Sequence, residues 1–228
     1  EMCIRDRSFS PSILHSMIEF YAKRDDIDTL EHLICFLDIK QLDIDLTVQL
    51  CHKYQLNETL TYIWTSLLHD YITPLINAIA KIKKYYQVEK TLSEELRIQR
   101  REQISYVYPY ISYTLTGRQY PTEHSLLPED NTPAKLNIYY FLFNGSPISW
   151  PEGAPILHTV ENITEEPMFP YLSLLLQYDS NSMVSCLNEA FEDELLNDTR
   201  LSYDQNKHYE LHINRQLVIE ILLGLIHN

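Results

Sequence analysis

Glycine is scarce, with four residues in a chain of 228. G-x-x-x-x-G-K-S/T, G-x-G-x-x-G and G-x-S-x-G are all missing, so neither a phosphate-cradling loop nor a nucleophile elbow has a candidate. Cysteine spacing is equally barren: Cys3, Cys35, Cys51 and Cys186 form no C-x-x-C pair. At least two of them fall on apolar helical stripes, where a thiol behaves as a small hydrophobe. Positive charge is short as well, with 18 Lys and Arg against 32 Asp and Glu and a formal charge of -14. That balance disfavours nucleic acid and adsorption on anionic lipid, since both require phosphate charge to be neutralised. The most apolar run, "LVIEILLGLI" at 217–226, is about half the length a bilayer crossing needs and reads as a buried helix. No segment alternates apolar and polar residues long enough to compete as a strand.

What the chain does hold is apolar residues, 45% of it, at helical spacing. Leu14, Met17, Ile18 and Tyr21 recur at i, i+3, i+4, i+7, and Leu30, Leu33, Ile34 and Leu37 repeat the pattern. A third stripe runs through Leu46, Leu50 and Tyr54, and a fourth through Leu60, Ile63, Trp64, Leu67 and Leu68. Leu-Asp-Ile occurs twice at the seam between the second and third stripes. The seam reads as a corner: Leu37, Ile39, Leu42 and Ile44 face inward, while Asp38, Asp43 and Asp45 satisfy helix-end amides. Asp45 and Asn57 are the expected N-caps of the third and fourth helices.

A fifth helix is expected from about Tyr71 to Tyr86 with Pro74 in its first turn. A longer one should open on a Thr91/Glu94 capping box, kink at Pro109 and stop at Gly117. From Gly117 to Pro170 the texture changes, holding eight of the eleven prolines and three of the four glycines. This stretch is expected to be long connections around one helical island opened by Thr132 and Pro133, with Trp150 and Ile156 anchoring the 144–170 excursion. Helices resume at "MFPYLSLLLQYD", at "SNSMVSCLNEAFEDELLND" and from about Asn214. The fold class is all-α, an α-solenoid of antiparallel helix pairs with long Pro-rich connections between 117 and 170. Residues 1–7, "EMCIRDR", resemble translated adapter sequence and are set aside as an artefact or disordered end; residues 8–228 are expected to be one solenoid segment truncated at both ends.

Candidate chemistry is sparse. His208 and His212 are spaced i, i+4 and could share a face as metal ligands, though no H-E-x-x-H pattern accompanies them. Cys51 and His52 are adjacent, which points them about 100 degrees apart on a helix, so Cys51 reads as core. The five carboxylates of "NEAFEDELLND" lack a partner base and read as a solvated helix end. Tyr106, Tyr110 and Tyr113 read as inter-helix packing. The triplets at Asn57, Asn162 and Asn197 read as accidental glycosylation patterns, because no secretory leader is visible and the unpaired cysteines fit a reducing, cytosolic setting. Two surfaces stand out for protein partners. Residues 81–101 carry seven Lys or Arg against three acids, including Lys83, Lys84, Arg100 and Arg101, and form either a solvated face or a docking strip for an acidic partner. Gly117, Arg118 and Tyr120, in "LTGRQYP", form either a structural corner or an exposed binding epitope. No catalytic residue and no cofactor site is assigned.

"LEHLICFLDIKQLDIDLTVQLCHKYQLNETLTYIW", "YITPL", "YISYTLTGRQYP" and "MFPYLSLLLQYDSNSMVSCLNEAFED" follow one another in order. In that order they resemble the helical region of the vacuolar protein sorting-associated protein 8 family, subunits specific to the CORVET endosomal tethering complex, over roughly residues 12–195. The resemblance implies helix pairs of the clathrin-heavy-chain-repeat kind in a cytosolic protein held peripherally on early endosomes. It implies class C vacuolar sorting core subunits and the early-endosomal Rab GTPase as partners of the full-length protein, with no nucleic acid and no membrane insertion. The family's β-propeller and zinc-binding RING lie outside the matching stretch, and the family offers no catalytic residue to carry over. The leading expectation is thus a non-enzymatic interaction scaffold. The nearest alternative is the helical part of the HOPS subunit of late endosomes and vacuoles. An alternative of another class is a metal-dependent enzyme using His208 and His212.

Overall fold

The computed structural model describes residues 11–24, 26–37, 42–197, 202–203, 209–210 and 213–227. Residues 1–7 with Cys3, the corner residues Asp38 and Ile39, the side chain of Leu14, and the pair His208 and His212 lie outside the described residues. The chain forms two compact units: Glu1–Asp70 with Gln119–His124, and Tyr71–Arg118 with Ser125–Asn228.

The first unit contains α1 (Pro11–Ala22), α2 (Ile27–Cys35), α3 (Ile44–Tyr54) and α4 (Asn57–Leu67). Their stripes meet as the spacing requires: α1 packs on α2 and α3, and α4 on α2 and α3. Ile18, Leu30, Ile34, Leu50, Leu56 and Ile63 form the core, with Met17, Tyr21, Leu37, Leu42 and Ile44 packed against it. Each such aliphatic side chain contributes about 1.5–3 kcal/mol by leaving water. Of the repeated Leu-Asp-Ile, the second copy leads into α3, and the cap is Asp43, whose Oδ1 accepts from the Leu46 amide at 3.1 Å. Asp45 lies inside the first turn of α3, where a carboxylate is favoured by the positive helix end without capping it. Asn57 is likewise inside α4, and no side chain of the preceding residue, Leu56, caps that helix.

The second unit contains α5 (Thr73–Val88), α6 (Glu94–Ser105), α7 (Val107–Leu115), α8 (Pro128–Phe143), α9 (Pro170–Tyr178), α10 (Ser180–Glu189) and α11 (Arg215–His227). Pro74 sits in the first turn of α5 as expected, while Tyr85 takes the buried position expected of Tyr86. The cap of α6 is Ser93, whose Oγ accepts from the Leu96 amide, and Thr91 belongs to the preceding 3-10 turn. The helix expected to kink at Pro109 is divided in two at Tyr106, because Pro109 cannot donate to the Ser105 carbonyl and the strain is released one turn earlier. The island expected from Thr132 starts at Pro128 and holds Pro133 inside it. The carbonyl that Pro133 leaves without a helical donor belongs to the exposed Glu129, where solvent can serve it. From Ala134 to Phe143 α8 is buried almost all round, the mark of a central helix, and the Phe141 ring stacks on Tyr171 at 4.4 Å.

Residues 144–170 pack within this unit, anchored differently from the expectation. Ile156 is exposed and Trp150 only half-buried, whereas Ile148 is buried. The Tyr171 hydroxyl accepts from the Ile148 amide at 3.2 Å and donates to the Leu157 carbonyl at 2.9 Å. One phenol thus ties two loop backbones, a pairing no periodicity encodes. Among the described residues extended pairing is confined to a two-residue antiparallel ladder, Ser202–Tyr203 with Tyr209–Glu210, and an isolated bridge of Arg118 with Ser125. The expected all-α array of packed helix pairs holds within each unit.

Candidate interaction surface

The basic run of α5 and α6 is largely engaged inside the second unit. Lys83 Nζ donates to the His158 carbonyl at 2.8 Å. Arg101 Nη2 donates to the Tyr178 carbonyl at 2.9 Å, with its guanidinium 5.2 Å from the Tyr178 ring. Arg97 Nε donates to the Glu89 carbonyl at 3.1 Å, and Lys81 Nζ lies 5.5 Å from the Tyr106 ring. Carbonyls at helix ends attract cations, so these side chains fasten elements together instead of forming one uninterrupted strip. Lys84, Arg100 and Arg101 are all exposed, and of the three Arg101 is held by the Tyr178 carbonyl.

The corner residues divide between structure and surface. Gly117 ends α7 at φ +77, and a Cβ there would lie 2.8 Å from Asn131 Oδ1, so both backbone and space demand glycine. Arg118 follows with its amide donating to the Tyr113 carbonyl at 2.7 Å. Its guanidinium lies 4.3 Å over the Tyr113 ring and pairs with Glu189 at 3.6 Å. The Ser112 hydroxyl also donates to that Glu189 carboxylate. Ser112, Tyr113, Arg118, Ser185 and Glu189, with the buried Tyr108 and Cys186, line a groove of about 490 Å³ between α7 and α10. Tyr120 is a different matter. Expected on an exposed corner, it is buried in the first unit, where its hydroxyl donates to Glu58 Oε1 at 2.6 Å. Neighbouring Gln119 donates to Ser66 Oγ at 2.5 Å. A phenol buries willingly once its hydroxyl is bonded, so Tyr120 is an anchor and not an epitope.

One ionisable group escaped the sequence reading. Glu31 of α2 is 6% exposed, and its Oε1 accepts from the Thr59 amide at 3.0 Å, capping α4 from a neighbouring helix. Burial pushes its pKa from the ordinary 4.5 up to about 7, the Thr59 hydrogen bond opposes that, and the charges of Glu58 and Asp28 add to it. Its signal was faint: a carboxylate one residue past Leu30 and four before Cys35, on a helix whose inward stripe reads apolar.

Thiol chemistry finds no support in these environments. Cys35, Cys51 and Cys186 are free and buried. Burial raises all three, Cys51 and Cys186 to about 12, which disfavours the reactive thiolate. Among the described residues no group of three or more His, Cys, Asp or Glu is placed to hold a metal ion. Among them, too, no helix is long and apolar enough to cross a membrane.

Comparison with known proteins gives a consistent set of relatives. A family model described as Vps8 central TPR matches residues 4–191. The vacuolar protein sorting-associated protein 8 of Saccharomyces cerevisiae is 37% identical over 221 residues, covering 95% of this chain and 17% of that protein. The homologues of Mus musculus and Homo sapiens are 27% and 26% identical over 197 residues, covering 86% of this chain and 12% of each relative. The chain therefore corresponds to under a fifth of the length of these relatives.

Proposed function

The chain belongs to the Vps8 family, and from that membership we propose that it is a non-enzymatic scaffold segment of an endosomal vesicle-tethering subunit. Its place in a vacuolar protein sorting subunit follows from the family itself. The finer reading, a CORVET component on early endosomes that contacts class C core subunits and a Rab GTPase, goes beyond the relatives' names. The observation that carries it is the joint one of membership and placement. Among the described residues, the groups that could do chemistry are committed to architecture, while the helices offer grooves and solvent-facing side chains. Packed helix pairs suit such a task, because each touches its neighbours and presents a long surface to other proteins. Partner contact is proposed for the exposed Lys84 and Arg100 and for the groove edged by Arg118. The family match favours this reading over the HOPS-type alternative; the metal-dependent one rests on His208 and His212, which lie outside the described residues.

The test is retention of purified class C core subunits and of early-endosomal Rab loaded with GTP on the immobilised segment, at two salt concentrations. Retention of either, weakened by Arg118→Ala or by Lys84→Glu with Arg100→Glu, is the expected result. If none is retained, the segment is a passive spacer.

A further inference from the structure

The first unit carries an apolar groove that the helix stripes do not fill. Ile44, Asp45 and Val48 of α3 face Ile63 and Trp64 of α4 and the adjoining Leu68 across a space of about 340 Å³. Leu68 is 55% exposed at its mouth. The indole ring of Trp64 forms one wall of the groove, while its Nε1–H is shielded from solvent and so out of reach of an incoming group. The groove's electrostatics point one way. Asp45 is its charged lining residue, and from Leu42 to Asp70 the chain holds Asp43, Asp45, Glu58 and Asp70 against a single cation, Lys53. Lys53 sits at the far end of α3, over the Tyr54 ring at 4.8 Å. The negative C-terminus of α4 and the positive N-terminus of α3 meet at the groove and offset each other, which leaves Asp45 as its net charge.

We propose that this groove docks a short segment of a partner protein that presents one large apolar side chain flanked by Lys or Arg. The apolar side chain enters between Val48, Ile63 and the Trp64 ring, and the cation pairs with Asp45. The inference rests on the scaffold reading and names the chemistry of one partner contact.

Trp64 is itself the reporter, because Trp150 is the other tryptophan of the chain and Trp150→Phe isolates it. Into the full chain carrying that change one titrates a short acetylated and amidated peptide with a central Leu between two Lys, and separately its counterpart with Glu in place of Lys. The expected result is a saturable blue shift of Trp64 emission with the Lys peptide and binding about tenfold weaker with the Glu peptide. Asp45→Lys should invert that preference, a charge swap that a merely unfolded variant cannot produce. Trp64→Phe, followed by anisotropy of a labelled Lys peptide, should weaken binding by removing part of the apolar wall. The proposal falls if the Lys peptide leaves the emission unchanged, or if both peptides bind equally. It also falls if the emission shifts with protein concentration in step with dimer formation, since the occupant would then be a second copy. Retention of class C subunits alongside any of these failures would leave the scaffold reading standing and remove the groove from it.

Discussion

Replacing Glu31 by Gln isolates the energetics of the buried cap. Glu31 is 6% exposed and its folded pKa is about 7 against an ordinary 4.5. Between those values the folded chain holds a proton that the unfolded chain has released, so the native state binds more protons and stability falls as pH rises through the window. At about 1.36 kcal/mol for each pH step of one, the fall amounts to about 3 kcal/mol between pH 4.5 and 7, fully present below the window and lost above it. Glu31→Gln keeps an oxygen to accept the Thr59 amide but cannot ionise, so it should flatten this dependence. Its amide brings an additional buried donor, at about 1–3 kcal/mol if unpartnered, so the variant is expected to be near neutral or destabilised at pH 5. Relative to the parent it should then gain about 2–3 kcal/mol between pH 5 and pH 8. The assay is urea unfolding at a series of pH values, followed through Trp64 in a Trp150→Phe background so that the first unit reports. Parallel stability curves for Gln and Glu from pH 5 to 8 would refute a proton held in the buried cap.

Asp43→Ala, which removes the Leu46 cap, should cost about 1 kcal/mol in the same assay, and Asp45→Ala less. Gly117→Ala forces a Cβ to within 2.8 Å of Asn131 Oδ1 at φ +77, and a loss of about 1–3 kcal/mol by thermal melting is expected. Lys135→Met leaves the half-buried Asp193 carboxylate without its cation, and a loss of about 1–3 kcal/mol is expected in urea, partly recovered when Asp193 is changed to Leu as well. In a Cys3→Ser background, the remaining thiols should resist a disulfide-exchange dye at pH 8 for as long as the fold persists, and react within the mixing time in denaturant. Fast labelling of the native protein would mean that the helices open readily.

The helices were readable because an apolar stripe at 3.6-residue spacing needs no knowledge of its partner: Ile18, Leu30, Ile34, Leu50 and Ile63 declare an inward face wherever that face goes. Caps were read one or two residues off, since Asp43 and Asp45, or Thr91 and Ser93, present the same short oxygen and local geometry alone chooses between them. Charge misled more. Lys83 and Arg101 read as parts of a free strip; Arg101 is exposed, but both donate to carbonyls, of His158 and Tyr178, about 75 residues away along the chain.

Composition and spacing by themselves settled the fold class, because periodicity is a property of each helix alone; the family came from the resemblance of four ordered motifs and the match to relatives. Which polar groups were buried was decided only when distant segments met. Tyr120 found Glu58, Glu31 found the Thr59 amide, and Arg118 found Glu189. Each of these depends on a separation in space that a linear chain does not record. The same holds for the groove beside Trp64, which exists because the ridges of α3 and α4 do not close on each other there.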